Sequence, residues 1–111
     1  MCGDTLERVM RVVEEFLEEV SKRFRVEEAY LFGSYARGDW IKSSDIDLVI
    51  VSRHFEGMSF SERLEVLYRL EWEKKITPHI EVIPLTPREL RERLEKSAVL
   101  RDASKYWVRV K

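Results

Sequence analysis

The chain has 111 residues, 44% of them apolar, with 20 basic and 21 acidic side chains and a formal net charge of −1. That length predicts one domain, residues 1–111, around a single core, and the balanced charge argues against a dedicated nucleic-acid binder, which carries a basic excess on one face. The lone Cys2 excludes an intrachain disulfide, and the apolar run Leu48–Val51 is far too short to span a membrane.

In chain order, charges begin at Asp4 and recur every few residues, so no secretory pattern is present and a cytoplasmic location is expected. Leu6, Val9, Met10, Val13, Phe16, Leu17, Val20 and Phe24 recur at three- and four-residue spacing and predict an amphipathic helix. Asp4 and Glu7 have the spacing of a capping box at its start. Val26–Phe32 reads as a strand ended by Gly33, followed by a turn through Ser34–Arg37. Ile46–Val51 is apolar at nearly every position, the pattern of a central strand covered on both faces. A second long helix is predicted over residues 59–75, with Phe60, Leu64, Leu67 and Trp72 inward, and Pro78 breaks its pattern. His79–Leu85 is a third strand. Thr86, Pro87 and Glu89 then open a helix running to about Ser97, with Leu90 and Leu94 inward. Tyr106–Val110 is a final edge strand. The fold class is therefore α/β or α+β: a small mixed sheet of about four strands with helices packed on it. High charge content (37%) and the absence of Asn and Gln suggest a heat-adapted source.

The stretch least like scaffold is GSYARGDWIKSSDIDL, Gly33–Leu48. Residues i and i+2 of a strand share a face, so Asp45 and Asp47 are neighbours about 6.6 Å apart. Two carboxylates there repel each other and lose hydration if buried. A shared cation removes both costs, and hard oxygen donors without a His/Cys cluster favour Mg²⁺ or Mn²⁺. A D-x-D at a strand start is by itself more often turn chemistry. Gly33 lets the backbone approach a ligand closely, and Ser34 offers a hydroxyl and an N–H to phosphate oxygens.

Together, an apolar strand, Gly-Ser, ten residues, and Asp-Ile-Asp opening a second apolar strand resemble the signature of the DNA polymerase β-type nucleotidyltransferase superfamily. Gly33, Ser34, Ala36, Arg37, Gly38, Ser44, Asp45, Ile46, Asp47 and Leu48 look like the pattern of its minimal members, and the element order agrees over essentially the whole chain. The resemblance implies that Gly33 and Ser34 hold the β- and γ-phosphates of a nucleoside triphosphate. It implies that Asp45 and Asp47 hold two Mg²⁺ or Mn²⁺ ions, with a third carboxylate from a neighbouring strand. Glu81 stands at that third position, where the superfamily usually has Asp. Arg37 is a candidate triphosphate clamp, equally a surface partner of Asp39, and Lys42 is a weaker candidate. His79 shares a face with Glu81 in a regular strand, although a lone His at a strand end is commonly a surface residue.

The resemblance further implies transfer of a nucleoside monophosphate, AMP from ATP, to a hydroxyl. The implied partner is a HEPN-type toxin, adenylylated on a tyrosine, with this chain as antitoxin. The alternative is a partner-binding or nucleotide-binding antitoxin module with a vestigial site, its partner meeting an aromatic patch drawn from Trp40, Trp72, Tyr106 and Trp107. Transfer to a small molecule ranks third, because members doing that generally carry an additional acceptor-binding domain. Homo-oligomerisation stays open.

Overall fold

The structure, a computed structural model, describes residues 2–33, 46–76 and 79–111. Helix α1 (Cys2–Ser21) leads into strand β1 (Glu28–Phe32). Strand β2 (Ile46–Val51), a 3₁₀ turn (Arg53–Phe55), helix α2 (Phe60–Glu73) and strand β3 (Ile80–Leu85) follow, then helices α3 (Pro87–Lys96) and α4 (Ala98–Ser104) and strand β4 (Val108–Arg109). The sheet order is β3-β2-β1-β4, with β1 antiparallel to both β2 and β4, and β2 parallel to β3. The expected mixed four-stranded α/β (α+β) architecture is thus the one observed. The near-continuous apolar strand β2 is indeed central, and the last strand lies at the edge, although only two of its residues pair.

The alternation of side chains along the strands gives the sheet two unlike faces. Ala29, Leu31, Ile46, Leu48, Ile50, Ile80 and Val82 point to one face, where they bury Val9, Val13, Phe16, Leu17 and Val20 of α1 and Leu67 and Leu70 of α2. Tyr30, Phe32, Val49, Val51, Ile83 and Leu85 point to the other, where, among the described residues, the cover is Leu90 and Leu94 of α3 and the indole of Trp107. Trp107 stacks at a tilt on Tyr30 and Phe32, with ring centroids 5.6 and 6.0 Å apart.

Local chemistry fixes the helix starts. Ser59 and Glu62 form a capping box at α2, and Thr86 and Glu89 form another at α3 with Pro87 in its first turn. The expected box at Asp4 and Glu7 is not the start of α1. The helix begins at Cys2, because no proline in residues 2–5 prevents an earlier turn. Two inward assignments on α2 also change. Trp72 is 82% exposed and Phe60 41% exposed. The buried positions are Arg63, Leu67, Leu70 and Glu71; Trp72 lies about 200° round the helix from Leu70. Arg63 is held inside by bonds donated to Met58 O (3.1 Å), Pro84 O (3.1 Å) and Glu89 Oε1 (2.6 Å), which tie α2 to β3 and α3. Helix α4 was not anticipated; it is short, and its residues 99 and 101 are exposed.

Candidate active site

The ends of three strands meet on the face that carries α3 and Trp107. Phe32, the last residue of β1, is the cross-strand partner of Asp47, and Asp47 is the in-register partner of Glu81 across the parallel pair. Parallel neighbours lie about 4.8 Å apart, so the Asp47 and Glu81 carboxylates leave adjacent points of one surface. Asp47 is half-buried, whereas the Glu81 side chain is 54% exposed. One is set in the sheet and the other reaches solvent.

Gly33 is shaped around this pair. Its φ is +73°, a left-handed conformation that side chains rarely adopt. A Cβ at this position would overlap Asp47 Oδ2 and come within 3.0 Å of Cγ. The group that the missing side chain of Gly33 admits is the Asp47 carboxylate, a group of the chain itself and not the ligand expected there.

Beyond Gly33 a cleft of about 530 Å³ runs along the same face. Phe32, Val49 and Ile83 form its floor, and Leu90, Arg93, Val99, Tyr106 and Trp107 are among its walls. Val49 and Ile83 are the next same-face residues after Asp47 and Glu81, so the carboxylates stand at one end of an apolar cleft large enough for a small ligand.

On the far side of Glu81, His79 Nε2 lies 3.7 Å from Glu81 Oε1, and His79 Nδ1 lies 2.8 Å from Glu71 Oε1. Glu71 is buried, and its Oε1 also accepts the Ile80 N–H at 2.9 Å. Tyr68 packs its ring on His79 at 5.5 Å. Burial pushes the Tyr68 hydroxyl above its ordinary range; a backbone bond at Val82 opposes the shift, and the charges of Glu81 and Glu71 add to it. Tyr68 is therefore a neutral hydroxyl at physiological pH.

Of the expected site residues, the structure brings Gly33, Asp47 and Glu81 together. Ser34, Arg37, Trp40, Lys42 and Asp45 lie outside the described residues. Among the described residues, no three His, Cys, Asp or Glu side chains are grouped so as to hold a metal ion. Asp47 and Glu81 nonetheless supply two hard oxygen donors side by side, the donor type that suits Mg²⁺ or Mn²⁺. Glu71 and Tyr68 were not anticipated. The available signal was a carboxylate four residues after the inward Leu67, on the apolar stripe of α2.

Comparison with known proteins shows the family of the chain. The family model described as "Nucleotidyltransferase domain" matches residues 13–106. A candidate protein adenylyltransferase of Methanocaldococcus jannaschii is 34% identical over 67 residues, which are 60% of this chain and 67% of that protein. A candidate nucleotidyltransferase of Sulfolobus solfataricus, known from its crystal structure, superposes with a TM-score of 0.68 at 30% identity, covering 82% of this chain and 78% of that one. A toxin–antitoxin crystal structure with AMP-PNP shares the fold at a TM-score of 0.58 and 17% identity, covering 92% of this chain and 72% of that one.

Proposed function

Because this chain belongs to the nucleotidyltransferase domain family, we propose that it transfers a nucleoside monophosphate, AMP from ATP, to a hydroxyl acceptor where β1, β2 and β3 end together. The observation that carries this reading is the register of Asp47 with Glu81, beside a glycine that can be only a glycine if the Asp47 carboxylate is to sit where it does. A pair set purely for stability would not place two like charges side by side.

In this reading Asp45, Asp47 and Glu81 hold divalent ions, Mg²⁺ or Mn²⁺, and Gly33, Ser34 and Arg37 receive the triphosphate. Bound there, the ions neutralise charge on the phosphates during in-line displacement. The chain's own contribution is positioning. Strand β2 fixes Asp47, and the cleft behind Gly33 takes the nucleoside against Phe32, Val49 and Trp107. The exposed Glu81 carboxylate faces the side from which an acceptor approaches. The acceptor oxygen forms its bond to the α-phosphorus, the bond from that phosphorus to the β-phosphate oxygen breaks, and pyrophosphate leaves. The hydroxyl proton passes to Glu81.

The acceptor in this reading is a hydroxyl side chain of a partner protein, a tyrosine of a HEPN-type toxin, with this chain as antitoxin. The relatives named as candidate protein adenylyltransferases support a protein acceptor. A second reading, a partner-binding module with a vestigial site, is favoured by the exposed Trp72 (82%) and Val99 (81%). Incubation with α-labelled ATP, Mg²⁺ or Mn²⁺ and any co-purifying helical protein separates the two. Label on a protein, lost in Asp47→Asn, supports the transferase. A partner that binds wild type and Asp47→Asn equally, and stays unlabelled with every nucleotide, supports the module.

A further inference from the structure

The sheet order sets the parts of the site in a line. Gly33 follows β1, Asp47 stands on β2, and Glu81 stands on β3, with β2 between the other two. In-line displacement needs the acceptor oxygen to arrive opposite the leaving pyrophosphate. With the phosphates at Gly33, the acceptor enters from the β3 side, past Glu81. A second cavity, of about 710 Å³, lies on that side, between the end of α2 and the start of β3. His79 is one of its walls, and His79 Nε2 is 3.7 Å from Glu81 Oε1, so the cavity and the carboxylate adjoin.

Three apolar or aromatic side chains line this cavity: Tyr68, Trp72 and Ile76. The Trp72 indole stands almost wholly in water, so burial within the chain does not account for it. Ile76 follows a tight turn that closes α2. Its N–H returns to Glu71 O at 3.0 Å, and Lys75 takes a left-handed φ of +53°. Stability alone favours glycine at such a helix end. A side chain kept there against the backbone preference points to a use for it, and Lys75 is a wall of the cavity. Charge narrows the occupant further. Among the described walls, two carboxylates, Glu71 and Glu73, stand against one ammonium, Lys75. Phosphates of a nucleic-acid strand and acidic side chains are disfavoured there. An apolar or aromatic side chain suits the indole, the phenol ring and Ile76.

We infer that this cavity is the docking site on the acceptor side. It takes an uncharged, apolar or aromatic side chain next to the acceptor hydroxyl of a partner protein, and Trp72 is the residue that selects it. What the docking achieves rests on the nucleotidyl-transfer reading above; the binding itself does not. An acceptor neighbour seated beside Trp72 places the hydroxyl at Glu81, on the opposite side of Asp47 from Gly33.

The test titrates the ¹⁵N-labelled whole chain with three probes at millimolar concentration: the dipeptides acetyl-Tyr-Leu-amide and acetyl-Tyr-Glu-amide, and the dinucleotide ApA. The Tyr-Leu probe shifts the Trp72 indole N–H and the amides of Lys75, Ile76 and His79, and leaves Trp107 and α1 unmoved. The Tyr-Glu probe and ApA bind at least about tenfold more weakly, and Trp72→Ser weakens the Tyr-Leu probe about tenfold at an unchanged melting temperature, as for an aromatic anchor. In transfer assays Trp72→Ser raises KM for the Tyr-Leu probe by the same factor, with KM for the nucleotide within about twofold. Lys75→Gly raises the melting temperature and weakens the Tyr-Leu probe by less than Trp72→Ser does. Shifts that are absent, centred elsewhere or unchanged in Trp72→Ser overturn the inference. So does binding of the Tyr-Glu probe or ApA as tight as that of the Tyr-Leu probe, ApA marking a nucleic-acid acceptor instead. A wild-type chain that transfers no nucleotide defeats the reading of function, while the shifts still decide the docking site.

Discussion

The two faces of the sheet differ in what covers them, and the difference separates stability from chemistry. On one face Phe16, Val20, Leu31, Ile46, Leu48, Ile50, Leu67 and Ile80 are at most 1% exposed, sealed by two long helices. On the other, the cover among the described residues comes from α3 and the Trp107 indole; Phe32 and Ile83 stay half-buried, and a cleft opens beside Gly33. Strand β2 belongs to both. Its even-numbered residues anchor it in the closed core, and that anchorage lets Asp47 stand fixed on the open side. A carboxylate on a surface loop would lack this rigidity.

The contrast can be broken most strongly from the closed side. Phe16→Ala should cost about 3–5 kcal/mol, the range for a large ring removed from a sealed core, measured by denaturant unfolding. Ile83→Ala on the cleft floor should cost well under that, because the site is already open. Equal losses would mean that the faces do not differ energetically. Arg63→Leu should cost about 2–3 kcal/mol by removing its bonds to the Pro84 and Met58 carbonyls and to Glu89. It should also remove an acid dependence. Although burial works against it, bonds from Arg63 and Thr86 hold Glu89 below the ordinary carboxylate range. A depressed carboxylate adds stability above its unfolded value and loses it as pH falls through its folded value. Wild type should therefore weaken more than Arg63→Leu on acidification below about pH 4.

Gly33→Ala should cost about 1–2 kcal/mol for its left-handed backbone. It should also displace the Asp47 carboxylate, so transfer should fall far more than the stability loss accounts for. At the other extreme, Trp72→Ser should change stability by less than about 0.5 kcal/mol, since 82% of that residue is already in water.

Much of this was legible because it depends on short-range pattern. The run Ile46–Val51 declared a central strand, and Thr86-Pro87 with Glu89 declared a helix start. Gly33 and Asp47 were placed in one site by a spacing that the fold then brings together. What escaped depends on the rotational setting of one helix. Whether α2 turns Trp72 or Glu71 inward is decided by α1 and β3 packing against it, and local propensity is nearly silent between them. The Glu71–His79 contact was hidden for the same reason: His79 is visible beside Glu81, but Glu71 arrives from another element. Helix α4 escaped because seven residues give too few turns for a periodic signal.

The central claim is that the open end of the sheet, at Gly33, Asp47 and Glu81, is where nucleotide and metal bind. Titration of the ¹⁵N-labelled protein with Mn²⁺ and a non-hydrolysable ATP analogue tests it directly, because the ion broadens only nearby amide signals. The account predicts broadening centred on Gly33, Asp47 and Glu81, fading along the cleft toward Trp107, with α1 unaffected, and its loss in Asp47→Asn. Broadening centred elsewhere, or unchanged in Asp47→Asn, would contradict it.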